Sequence, residues 1–132
     1  MNKGHLIFAS LVAITLASSI AHGQEWSPDM PKLQKLESAI EPSAYPKWGY
    51  VGKAADLNQY ARYYAGYRSS GHRLIAGEFV LRESVADKPM GIYVVANQMK
   101  FPVIYDGSCA VVHVVYDVDM GRMLSLTCNG RG

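Results

Sequence analysis

Hydrophobic positions divide the chain into four stretches of different period. Residues Leu6 to Ala21 form an unbroken uncharged run, preceded by Lys3 and with the small residues Ala21 and Gly23 at its end. From Pro31 to Ile40, Leu33, Leu36 and Ile40 recur at helical spacing. Ser27 or Asp29 stands ready to cap this segment, Pro31 suits a first turn, and Pro42 is placed to end it. From Ala54 to about Tyr67, Leu57, Tyr60, Ala61 and Tyr64 fall at i, i+3, i+4 and i+7. Tyr63 and Tyr67 widen the stripe, while Asp56, Asn58, Gln59 and Arg62 take the other side. This spacing predicts the main amphipathic helix. Beyond Gly71 the pattern turns to strands: 73–83, 91–97, 100–106 with Pro102 at an edge, and a final hairpin of CAVVHVVYDV and RMLSLTCN joined at Asp119-Met120-Gly121.

One helix followed by strands in series predicts an α+β fold, with the tyrosine stripe lying on a four- to five-stranded antiparallel meander. A short proline-flanked helix precedes it. In outline this resembles the cystatin-like and nuclear-transport-factor-like arrangements, and the likeness is one of element order alone. Strand parity can be worked through for the last hairpin. With Val118 opposite Arg122, Tyr116 faces Leu124, Val114 faces Leu126 and Val112 faces Cys128 on the apolar side. His113 faces Thr127 and Val115 faces Ser125 on the half-polar side.

The N-terminal run is about 15 residues, short of the ~20 that a spanning helix needs. A charged start, an apolar core and small residues before a polar stretch are the parts of a cleavable export signal, with the cut after Gly23 or Ala21. The domain reading is therefore 1–23 as signal, 24–52 as a proline-rich segment with a short helix, and 53–132 as the α+β domain. Export changes the meaning of Cys109 and Cys128, the two cysteines of the chain. In an oxidising compartment they are expected to pair, closing a loop of about 20 residues. Cys109 has the wrong parity to face Cys128 in a regular ladder, so the bridge requires a bend at Asp106-Gly107-Ser108.

The whole chain carries a net charge of +2. Loss of Lys3 leaves a near-neutral domain of about 109 residues, which offers no electrostatic case for nucleic acid or an anionic membrane. No further apolar stretch is long enough to cross a bilayer. Two histidines lie beyond residue 23. His72 reads as a solvated turn residue. His113 is mid-strand, where Asp117 or Thr127 lies within reach as an acid–base partner. Asp117-Val118-Asp119-Met120-Gly121 lacks the later glutamate of a calcium loop, and the histidines and cysteines are too few and too far apart for zinc. Gly107-Ser108-Cys109 lacks the glycine spacing of a nucleophile elbow, and no phosphate-binding loop is present. No cofactor or metal is expected.

All nine tyrosines lie beyond the signal. Tyr60 and Tyr64 read as core; Tyr45, Trp48, Tyr50, Tyr63 and Tyr67 read as a candidate binding surface. The expectation is a small exported, non-enzymatic module of the cell envelope, of inhibitor, immunity or accessory type, partnered by another envelope or secreted protein. The alternative is a small hydrolase, isomerase or ligand carrier with a helix–sheet pocket near His113 and Asp117.

Overall fold

A computed structural model describes residues 26–48, 57–81 and 88–130; the segment expected to be an export signal and Tyr50 lie outside them, as do the side chains of Tyr45 and Trp48. The elements are α1 (Met30–Trp48), β1 (Tyr60–Ser69), β2 (His72–Leu81), β3 (Gly91–Val94), β4 (Val111–Asp117) and β5 (Arg122–Cys128). Three single-turn 3-10 helices punctuate them, at Leu57–Gln59, Gln98–Lys100 and Ser108–Ala110. One helix packs on one five-stranded sheet, which is an α+β arrangement.

α1 begins where the Asp29 carboxylate accepts the Lys32 amide at 3.1 Å, filling one of the orphan donors of the first turn. Leu33, Leu36 and Ile40 form its buried stripe, as their spacing predicts. The helix does not stop at Pro42 but continues to Trp48. Proline's fixed φ is itself helical; what it withdraws is a donor and some room for the carbonyl four residues earlier, so it need not end the helix.

The segment expected to be the main helix is instead the strand β1, entered through the turn Leu57–Gln59. The i, i+4 spacing of Tyr60 and Tyr64 satisfies both a 3.6 and a 2 period, and both rings lie at the helix-side core beside Phe79. Tyr63 settles the matter. It falls on the opposite face with Ala61, packed against Val80 and Val111. β1 is flanked by β3 and β2, and α1 covers one of its faces while the 95–110 segment covers the other, so no polar side remains. Arg62, assigned by the helical reading to solvent, is buried. The aromatic content of this stretch favours a strand once the register is satisfied.

The sheet order is β3-β1-β2-β4-β5. β1–β2, β2–β4 and β4–β5 are antiparallel, but β3 runs parallel to β1, with Tyr63 opposite Tyr93. The expected antiparallel meander is therefore corrected to a mixed sheet. The segment 95–110 then carries the chain from β3 to β4, beyond β2. Expected to carry a third meander strand at 100–106, it instead crosses the sheet from the β3 edge toward β4. Pro102 has no amide to give a ladder, and Phe101 and Ile104 face inward at a spacing of three. Asn97 starts the crossing by accepting the Met99 amide at 3.0 Å.

The last hairpin keeps the predicted pairs Val112–Cys128, His113–Thr127, Val114–Leu126 and Val115–Ser125. A bulge then shifts the register, so Tyr116 faces Met123 and Asp117 faces Arg122. The reason lies in the turn: Asp117 Oδ1 accepts the Met120 amide at 2.9 Å and closes a four-residue loop, one residue longer than expected.

Cys109 and Cys128 are disulfide-bonded, with Cα atoms 4.6 Å apart. The bend sits where its composition placed it. Gly107 at φ 103° and Ser108 at φ 49° turn the chain, and Asn129 donates its amide to the carbonyls of Ser108 and Val111.

On the helix side, Leu33, Leu36 and Ile40 meet Tyr60, Tyr64, Ile75, Phe79, Val112 and Val114. Gly77 is required there, because a Cβ would stand 2.5 Å from Val114 Cγ2. Gly66 has the same role for the N-terminal stretch. Trp26 lies across it, donating its indole N–H to the Tyr67 carbonyl at 2.8 Å, and a Cβ at Gly66 would strike the Trp26 carbonyl.

Candidate functional site

The face of the sheet away from α1 carries the side chains with chemistry. Strand register aligns Tyr93, Tyr63, Glu78, His113 and Thr127 in one row across all five strands. Tyr63 and Tyr93 stack at 5.3 Å between centroids, and Lys88 Nζ lies 5.6 Å and 5.0 Å from their rings. Tyr93 donates its hydroxyl to the Pro89 carbonyl at 2.6 Å. Glu78 is buried mid-row, and loss of water pushes its carboxyl above the ordinary range, with the neighbouring His113 acting the other way.

His113 Nε2 lies 2.6 Å from Asn129 Oδ1. The Asn129 amide nitrogen donates to the carbonyls of Ile104 and Asp106, at 2.8 Å and 3.0 Å. With Nδ2 committed to two acceptors, Oδ1 is the acceptor toward His113, so Nε2 carries the proton. That proton is held by a side chain that also pins the end of the 95–110 crossing. The arrangement fastens a covering segment to the sheet and leaves Nε2 no lone pair to act as a base.

Asp117 lies four residues from His113 on the same strand and face, about 13 Å along it. The two are not brought together. Asp117 instead meets His72, Nδ1 to Oδ2 at 2.7 Å, as well as the Met120 amide. Burial pushes the Asp117 carboxyl up, but the hydrogen bonds from Met120 and His72 outweigh it and the net direction is downward. His72 is thus no free turn residue. Its only sequence signal was its place directly after Ser70-Gly71, both of which take positive φ and turn the chain into β2.

The aromatic candidates divide. Tyr63 is buried, which removes it from an open surface. Tyr67 is half-buried beside Trp26. A trio on the other face was also unforeseen: buried Arg62 donates to half-buried Glu37 Oε1 at 2.8 Å and the buried Tyr64 hydroxyl donates to the same oxygen at 2.7 Å, tying α1 to β1. Burial pushes the Tyr64 hydroxyl well above its ordinary value, so it stays a donor at any physiological pH.

The three most exposed large apolar side chains among the described residues lie on the crossing. Met99, Val103 and Tyr105 are 91%, 75% and 92% exposed. Phe101 and Ile104 anchor the same segment from beneath. Sequence reasoning placed these residues in a strand, where Phe101, Val103 and Tyr105 would share one face. The observed backbone puts Phe101 inward and the other two outward.

Among the described residues, no group of three or more His, Cys, Asp or Glu side chains is placed to hold a metal ion. Nor is any described helix long and apolar enough to cross a membrane. Comparison with protein-family models, curated proteins and solved structures found no match.

Proposed function

We propose that this chain is exported by its N-terminal signal and acts in the cell envelope as a non-enzymatic protein-binding module of inhibitor, immunity or accessory type. The docking surface is the outer side of the 95–110 crossing. The observation that carries this reading is the clustering of Met99, Val103 and Tyr105, three large apolar side chains turned to solvent on one covering segment. Single exposed apolar residues are ordinary; a run of them on one segment is a feature of contact surfaces. The segment is held to the sheet by Phe101, Ile104 and Asn129, so presenting it costs little ordering on binding. Lys100 directly follows Met99 and is exposed. The partner is accordingly a folded envelope or secreted protein with an apolar recess and an acidic rim.

A photo-reactive phenylalanine analogue in place of Tyr105 tests this in the producing cell. A discrete adduct from that position, and none from the same analogue at Arg68 on the far side of the sheet, is the expected outcome. Adducts from both positions, or from neither, would remove the proposed surface.

A further inference from the structure

A cavity of ≈ 350 Å³ opens on the other face, between the start of α1 and the β4–β5 loop. Its lining includes Lys32, Lys35, Arg73, Asp29, Tyr116 and Val118. Of these three cations, Lys32 is paired with Asp29, which accepts from both its amide and its Nζ, and Arg73 is paired with Asp119. Lys35 has no ion pair among the described residues. α1 brings no acidic side chain into its first turn.

Arg73 is the best positioned of the three. Asp119 accepts its backbone amide at 2.6 Å and its Nε and Nη2 at 3.1 Å and 2.8 Å; the guanidinium also lies 5.8 Å over the Trp26 ring. These contacts fix the guanidinium while leaving Nη1 able to donate. Tyr116 and Val118 add an apolar wall. A volume at the lower end of the range for small-ligand sites, a preorganised guanidinium, an unpaired ammonium and an apolar wall together suit a small amphiphilic anion.

We propose that this cavity binds a small organic oxyanion, with its charged oxygens on Lys35 and Arg73 Nη1 and its apolar body against Tyr116 and Val118. The site lies on the opposite face of the sheet from the Met99–Tyr105 strip and does not depend on it.

Titration calorimetry of the disulfide-bonded protein with phenyl phosphate, inorganic phosphate and phenol reads the proposal. Saturable binding of phenyl phosphate is expected, about tenfold tighter than inorganic phosphate because only the former uses the apolar wall. Phenol should not bind measurably. K35A should weaken phenyl phosphate binding by about tenfold without changing the melting temperature, since Lys35 is exposed and makes no ion pair. R73K keeps the charge but loses the fork and should weaken binding by a similar factor. Raising the salt from roughly 50 to 300 mM should lower the affinity in the wild-type protein. No saturable binding of phenyl phosphate, or an affinity unchanged in both K35A and R73K, would overturn the proposal. M99S/Y105S should leave phenyl phosphate binding as it is, which separates this site from the docking strip.

Discussion

The two faces of the five-stranded sheet are covered by different means. On one, α1 lays three fully buried aliphatic side chains over Tyr60, Tyr64, Phe79 and the valines of β4, and an internal Arg62–Glu37–Tyr64 set fastens helix to strand. On the other, a largely irregular segment lays down Phe101 and Ile104, both half-buried, and is held at its end by Asn129 and by the turn carrying Cys109. The first cover turns its Leu33–Leu36–Ile40 stripe wholly inward. The second buries one side and leaves Met99, Val103 and Tyr105 outside. A helix hides its apolar stripe by pointing it at the sheet, whereas a segment without a regular period turns apolar residues both ways. The helix face is thus a core, and the crossing face is a presented surface on a firm base.

Substitutions can break this contrast, and the largest effect belongs to the helix face. Phe79→Ala should cost about 3–5 kcal/mol, because a fully buried ring leaves a cavity between α1 and the sheet. Urea denaturation gives the value, and a loss as small as that of Ile104→Ala, about 1–2 kcal/mol for a half-buried side chain, would mean that the two covers are equivalent after all. Opening the disulfide with Cys109→Ala and Cys128→Ala together should cost on the order of 3 kcal/mol. In native-state hydrogen exchange the loss should appear first in the amides near Asn129 and only later in β1 and β2. Uniform loss across the sheet would contradict a bridge whose local task is to hold the end of the crossing.

The smallest effect concerns Glu78. Burial raises its carboxyl above the ordinary value of 4.5, so folding favours the protonated form. Its relative contribution is therefore most favourable below pH 4.5 and is lost as pH rises through the higher folded value. Glu78→Gln should stabilise the protein at pH 7 and flatten its stability between pH 4.5 and 7, measured by urea midpoints across that range. A destabilised variant at pH 7 would mean that the ionised carboxylate has a favourable role beside His113.

Much of this contrast was legible in the residues, but unevenly. The Leu33–Leu36–Ile40 stripe, four pairs of the β4–β5 ladder and the disulfide with its bend all follow from local pattern, and all are seen. The tyrosine segment misled because Tyr60 and Tyr64, four apart, fit a helix as well as a strand. Burial on both faces of an inner strand erased the polar side that separates the two. The parallel pairing of β3 with β1 is non-local, and the crossing that follows it looks like an edge strand in isolation. Asp117 was singled out with His113, the nearer histidine in sequence. Its partner, His72, comes from the neighbouring strand, which only the β2–β4 register reveals. The Met99–Tyr105 strip was hidden for the same reason as the crossing itself.

The most direct test of the contrast measures binding and stability on one variant. M99S/Y105S changes two side chains that are almost wholly outside the fold. Quantitative capture of the partner identified by cross-linking should fall at least about tenfold, while the urea midpoint stays within error of the wild type. Capture that is undiminished, or a loss of stability matching that of Ile104→Ala, would contradict the reading of this face as a presented surface.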